Sequence, residues 1–262
     1  MDYSNFYKGY HPLSVLRFVF QALTTNNKIR RVSLINRIKD YLSLQKSLEL
    51  LELHRELNCV LDELRRNWGS YDYGEGYFYQ SFQKLNISGL RNTEERIRCM
   101  DLAVHVKGRK VLDIGCNTGF LSLSVADHAS YLEGFDINSY LAEIANRVSD
   151  FLGIENVNFK TSRFEGYATS ERFDVVLSFA NHSTYDKNTE QDLRSYFQRC
   201  HDLLVPDGVL LFESHAPDYE GDGLRNTISI IERFFDIVKN EKLYYGSFLD
   251  NGRTFIVGKR RE

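Results

Sequence analysis

The sequence predicts a doubly wound α/β domain with a mostly parallel sheet, preceded by a helical N-terminal cap. Three observations carry that prediction. A strand, a glycine turn and a helix follow one another directly over 111–126. The next apolar run ends in an acid, Asp136. The chain also changes character near residue 100, from mainly helical to an alternation of strand and helix.

Val111-Leu112-Asp113-Ile114 reads as a strand covered on both faces, because consecutive apolar β-formers suit the centre of a parallel sheet. Gly115 and Gly119 bracket a turn through Cys116 and Asn117, and Phe120 to Ala126 has helical character. Glycine tolerates positive φ there, and its missing Cβ lets a ligand lie against the backbone. An acid ending the following strand, about 20 residues on, is placed to meet a ribose. Asp136 stands there. Further strands are expected near 156–160, 173–179 and 208–214, with helices near 119–129, 139–152 and 188–204. Pro206-Asp207-Gly208 reads as the turn into the fifth strand. Two terminal strands, Phe234 to Leu243 and Thr254 to Lys259, flank a hairpin turn at Asp250-Asn251-Gly252.

Residues 1–100 form the expected helical cap, a region for substrate binding or oligomerisation, and 101–262 the α/β domain. Gln45 to Trp68 is its clearest helix, with Leu50, Leu53, Leu57, Val60, Leu61, Leu64 and Trp68 at three-four spacing. That stripe must be buried, either within the chain or against a second copy in a homodimer. Lys28, Arg30, Arg31, Arg37 and Lys39 cluster upstream without flanking acids, as a solvated helix face or an RNA or phosphosugar contact. The loop Tyr71 to Tyr79 is dense in aromatics, suited to covering a ligand ring or to anchoring the helices. Asn92 reads as a helix cap with Glu95 returning to it, and Arg91 just before it could face a cofactor carboxylate.

The 262 residues, 42% hydrophobic, allow one α/β domain with an appendage. A formal net charge of −3 disfavours a dedicated nucleic-acid binder. The start lacks a secretory pattern, and the longest apolar candidate, Leu13 to Leu23, is interrupted by Arg17 and Gln21. Four cysteines without paired spacing fit a reduced compartment. A cytoplasmic protein without a membrane partner is therefore expected.

The 111–120 run resembles motif I of the class I S-adenosylmethionine (SAM)-dependent methyltransferases, and Gly134 to Asn138 resembles their acidic ribose-binding loop. Dinucleotide enzymes carry G-x-G-x-x-G, but Cys116-Asn117 follows Gly115 here. The resemblance implies a Rossmann-like sheet closed by an antiparallel C-terminal hairpin, with SAM as cofactor. It implies that Asp113 orients the turn, that Gly115, Cys116, Asn117 and Gly119 line the methionine moiety, and that Asp136 accepts from the ribose hydroxyls. Ile137 would lie against the adenine, with Ser162, Arg163 and Phe164 around it and Phe179 at the end of the fourth strand. Family members usually carry an acid at the position of Arg163. An arginine cannot accept the adenine amino hydrogen bond, so Ser162 or a carbonyl must do so, or Arg163 stacks on the ring. Gly89 to Arg96 and Asn181-His182 are further similar to the tRNA wobble-uridine carboxymethyltransferases. A tyrosine expected before the histidine is Asn181 here and a basic, Trp-rich arm is missing, so ordinary SAM is expected rather than its carboxylated form.

An alcohol acceptor benefits from a general base near the carboxyl edge of the sheet. Two strands deliver a histidine beyond their ends: His182 after Phe179, and His215 after Glu213. His182 is the expected base, with His215 or Glu213 orienting it or the substrate. No metal site is assigned, although Glu213, His215 and Asp218 are a conceivable divalent set. Glu220-Gly221-Asp222-Gly223 reads as the opening of a mobile loop over the acceptor. The sequence thus points to O-methylation of a small polar or saccharide-like acceptor. The alternatives are a tRNA- or nucleotide-modifying methyltransferase, another nucleotide-binding Rossmann protein, and a regulatory protein that binds SAM and transfers nothing.

Overall fold

The computed structural model describes residues 12–44, 47–69, 72–182, 189–215, 220–246 and 250–262, without the side chains of 12–15 and 17. The chain divides into two compact units, Met1–Glu94 and Glu95–Glu262.

The first unit holds α1 (Pro12–Thr24), α2 (Lys28–Leu44) and α3 (Leu48–Asn67). Helix α3 starts where Ser47 caps it, its side chain accepting from Leu50 N, so it is shorter than the 45–68 expected. Residues 45 and 46 lie outside the described residues. Its stripe is buried at Leu53, Leu57, Val60, Leu61 and Leu64, so the face weighed for a second copy is already covered in the single chain. Three polar residues, His54, Asn58 and Asp62, are buried with it. His54 Nε2 donates to Leu85 O at 2.7 Å.

The aromatic loop is fastened to α2, as far as the described residues 72–79 go (Tyr71 lies outside them). Asp40, buried in α2, accepts from Tyr77 OH at 2.7 Å and from Ser88 N at 2.7 Å. Ser33 Oγ donates to Gly74 O at 2.7 Å, and Asp72 ties the turn through Gly74 N and Gly76 N. Arg37, expected on the basic face, is instead buried between the rings of Phe18 and Tyr77, at 5.4 and 6.0 Å. Arg91 is also buried, with Nε donating to Tyr79 OH at 3.1 Å.

Helix α4 (Thr93–Cys99) leads into the second unit. There α5 (Leu102–Val106), β1 (Lys110–Ile114), α6 (Phe120–Val125), β2 (Tyr131–Asp136), α7 (Ser139–Leu152), β3 (Val157–Thr161) and β4 (Phe173–Phe179) follow. The chain continues through α8 (Leu193–Asp202), β5 (Leu204–Glu213), α9 (Gly221–Ile231), β6 (Phe235–Leu243) and β7 (Arg253–Arg260). Seven strands form one sheet in the order β3-β2-β1-β4-β5-β7-β6, with β7 antiparallel to both neighbours and all other pairs parallel. The order reverses between β1 and β4, and a crevice at such a reversal is where doubly wound sheets take ligands. Helix ends follow local rules. Asn138 caps α7 by accepting from Tyr140 N, Gly153 closes it at φ 63, and Asp192 caps α8 by accepting from Ser195 N. The core on one side of the sheet joins Leu112, Ile114, Val176, Leu210 and Phe212 to Tyr196, Phe197 and Ile231.

Four expectations need correction. Glu220 to Gly223 opens helix α9 rather than a mobile loop. Asp222 in the first turn suits the helix dipole, and Thr227 and Ile231 are buried. Pro206-Asp207-Gly208 is a bulge inside β5: Phe173 pairs with Leu204 and Val175 with Val209, while Asp207 takes φ 63. The β6–β7 connection runs over 244–252, and Asp250 organises it by accepting from Gly246 N and Gly252 N, each at 3.0 Å. Helix α8 occupies only 193–202 of the expected 188–204, because Asp192 provides the cap. Among the described residues no helix is long and apolar enough to cross a membrane.

Candidate functional site

The turn after β1 is latched to the end of β2 by backbone geometry. Gly115 N and Cys116 N both donate to Phe135 O, at 2.9 and 3.0 Å. Asn117, at φ 55, donates its N–H to Asp136 Oδ2 at 2.8 Å. The other carboxylate oxygen of Asp136 accepts from Asn138 N at 2.9 Å. These bonds orient the Asp136 carboxylate at the strand end. Gly115 stands at φ 68, where a β-carbon would lie 3.0 Å from Asn181 Cβ and Nδ2. Gly119 at φ 69 is held for packing: its β-carbon would meet Ala145 at 2.8 Å and the Phe159 ring at 2.9 Å.

Gly115, Asp136, Ile137, Ser162 and Phe164 line one narrow cleft at this edge. Sequence reasoning missed three of its other walls, Asn181, Thr189 and Tyr196. Asn181 bridges the ends of β1 and β4. Its Nδ2 donates to Ile114 O, and its Oδ1 accepts from Tyr196 OH at 2.6 Å and Ser178 Oγ at 3.0 Å. Only the departure of Asn181 from the tyrosine of the narrower resemblance signalled this position. Nothing in the sequence singled out Tyr196, which reads as one more apolar residue of an amphipathic helix.

Of the residues expected at the cofactor, Asp113, Cys116, Asn117, Gly119, Arg163 and Phe179 are not part of the cleft wall. Asp113 is buried beneath the turn and accepts from Ser122 Oγ at 2.6 Å. Burial pushes its carboxyl up to about 7, against the hydrogen bond from Ser122 and the charge of Arg96. Cys116 is buried, with its β-carbon beside Gly134, and burial raises the pKa of its thiol well above the usual range. Arg163 points to solvent and pairs with Glu190 at 3.3 Å instead of stacking in the cleft. Ser162 donates its N–H to Asp136 O at 2.9 Å and its hydroxyl to Arg163 O at 2.9 Å. Phe164 is buried against Phe135 and Tyr196, with ring centroids 6.2 and 4.8 Å away.

Phe179, at the end of β4, lies under the Arg96 guanidinium at 5.7 Å. Arg96 Nη2 reaches Glu213 Oε2 at 2.9 Å, and Arg253 Nη1 reaches the same oxygen at 2.7 Å. Glu213 is fully buried, yet the two guanidiniums hold its carboxyl down to about 2 against the cost of burial. A carboxylate so committed is a poor proton acceptor near neutrality, so the expected partnership of Glu213 with His182 gives way to an anchoring role. His182 is buried with its ring 4.9 Å from Phe212 and 6.5 Å from Tyr196. His215 is buried two residues beyond β5, and Asp218 lies outside the described residues.

A family model described as "Methyltransferase domain" matches residues 105–253. Among curated relatives, a ubiquinone biosynthesis O-methyltransferase of Actinobacillus pleuropneumoniae serotype 5b (strain L20) is 30% identical over 115 residues, 41% of this chain and 46% of the relative. The chain thus spans about half the length of the curated relatives it matches. Among solved structures, the N-methyltransferase NodS from Bradyrhizobium japonicum WM9 in complex with S-adenosyl-L-homocysteine aligns at TM-score 0.54 and 15% identity, over 78% of this chain and 99% of NodS. An S-adenosylmethionine-dependent methyltransferase from Mesorhizobium loti aligns at TM-score 0.52 and 17% identity, over 65% of this chain and 100% of its own. These two structural likenesses establish the fold.

Proposed function

Given that this chain belongs to the methyltransferase-domain family, whose members take SAM as methyl donor, we propose that it methylates an oxygen of a small polar or saccharide-like acceptor. The observation that carries this reading is the latched turn: Gly115 and Asp136 line the same cleft, and the Asp136 carboxylate accepts from Asn117 N within that turn. The residues present fit an adenosyl group. Asp136 supplies acceptors for a cis-diol, Ile137 and Phe164 supply apolar walls, and Ser162 supplies a hydroxyl. When bound, SAM supplies an electrophilic methyl on a sulfonium.

The protein's part is positional. The buried bonds of Asn181 fix the carboxyl ends of β1 and β4, which limits where an acceptor can approach. Holding nucleophile and methyl in line supplies much of the rate in such a displacement. His182 follows Asn181 directly, and we assign it the proton of the acceptor hydroxyl, a role worth roughly 10²–10⁴-fold. The ubiquinone O-methyltransferase relatives support oxygen as the acceptor atom.

The test is transfer of radiolabelled methyl from SAM to a panel of sugars, phosphosugars, phenols and tRNA. Turnover on a hydroxyl acceptor, lost in His182→Ala while SAM affinity stays intact, supports the reading. Turnover confined to tRNA, or full turnover in His182→Ala, overturns it.

A further inference from the structure

We infer that the α1–α2 hairpin docks on the surface of an anionic lipid bilayer. The hairpin buries Phe18, Ala22, Leu34 and Tyr41 against one another, which fixes the opposite faces outward. On α1 that outward face carries Leu16, Phe20 and Leu23, exposed by 61, 66 and 75%. On α2 the outward stripe at three-four spacing is Lys28, Arg31, Ile35, Lys39 and Leu42, all exposed. The two faces meet: Val19 and Leu23 of α1 line the same open cleft as Arg31 and Ile35 of α2. Isolated apolar residues on a surface mean little, but a continuous apolar face of this kind marks an interaction site.

Charge identifies the occupant. Over 12–44 the chain carries Arg17, Lys28, Arg30, Arg31 and Lys39, besides the buried Arg37, against a single acid, in a protein whose formal net charge is −3. That acid, Asp40, is buried and committed to Tyr77 and Ser88. A second copy seated on this face would set its cations against identical cations, with the hairpin's one acid buried. A nucleic acid would match the charge and leave Phe20 and Leu23 in water. An anionic bilayer satisfies both, because interfacial helices sink apolar side chains below the headgroups while Lys and Arg meet the phosphates. Among the described residues no helix is long and apolar enough to cross a membrane, and lying on the surface requires none.

The test uses the full chain in sedimentation with vesicles of equal parts phosphatidylglycerol and phosphatidylcholine, beside vesicles of phosphatidylcholine alone. Binding is expected to the anionic vesicles and to weaken with added salt. Phe20→Ser and Leu23→Ser are each expected to weaken it roughly tenfold or more. Lys28→Gln and Lys39→Gln are each expected to weaken it about fivefold at low salt. These side chains are exposed, so folding is retained, and thermal unfolding checks that. No binding to the anionic vesicles at low salt, or binding that ignores all four substitutions, overturns the proposal. So does a dimer, seen by sedimentation equilibrium without lipid, that Leu23→Ser dissolves.

Discussion

Arg96 and Glu213 form a buried ion pair at 2.9 Å across 117 residues of sequence, tying α4 to the last residue of β5. Arg253 completes it from the start of β7. The cluster therefore sets where the ends of β4, β5 and β7 meet, since Ala180 N also donates to Glu213 O at 3.0 Å.

Removing the shared anion should be costly. Glu213→Ala leaves two buried guanidiniums without their partner and is expected to destabilise the fold by about 3–5 kcal/mol. Urea unfolding measures it. A loss under 1 kcal/mol would show that water takes over the role of the carboxylate. The sign with pH follows from the depressed carboxyl. Its contribution is complete above the ordinary glutamate range near 4.5, and it is lost as pH falls toward about 2.

Asp113 has the opposite sign. Its carboxyl rises from 3.8 to about 7 on folding, so the native state binds the extra proton between those values. Stability should fall as pH rises from about 4 to 7, by at most ~4 kcal/mol, and level off above. Asp113→Asn should remove that slope and leave the protein at least as stable at pH 8. An unchanged slope in unfolding free energy against pH would assign the titration to another group.

Gly115 and Asn181 should be energetically coupled. Gly115→Ala places a β-carbon 3.0 Å from Asn181 at φ 68, so it is expected to weaken adenosyl binding through both strain and crowding. Asn181→Gly in the same chain removes both crowding atoms, Cβ and Nδ2, and leaves the strain at position 115. A double-mutant cycle on S-adenosyl-L-homocysteine affinity should therefore be non-additive. Strict additivity would separate the two residues.

Much of the second unit was legible because its strands bury both faces and read as continuous apolar runs. Lys110–Ile114, Tyr131–Asp136 and Phe173–Phe179 begin and end where Val111, Leu132 and Val175 place them. The place of Asp136 at the end of β2 was legible for the same reason. The errors lie where local signals compete with long-range ones. Glycines at 221 and 223 suggest a loop, yet burial of Thr227 and Ile231 makes a helix. The bulge at Asp207 depends on β4 beside it, which the local Pro-Asp-Gly pattern does not report. Asn181, Tyr196 and Arg96 come to the site from separate elements, and their partners at Ile114, Ser178 and Glu213 are distant or on another element. Arg163 looked like a cleft residue by position and turned outward because Glu190 offers a solvent-exposed partner.

The most direct measurement is calorimetric titration of S-adenosyl-L-homocysteine into the wild-type chain and into Asp136→Asn. A charged acceptor pair contributes roughly ten- to hundredfold in affinity. The account predicts saturable one-to-one binding to the wild type, weakened by that factor in the variant. Absence of binding to the folded wild type, or equal affinity in both chains, would contradict an adenosyl site between Gly115 and Asp136.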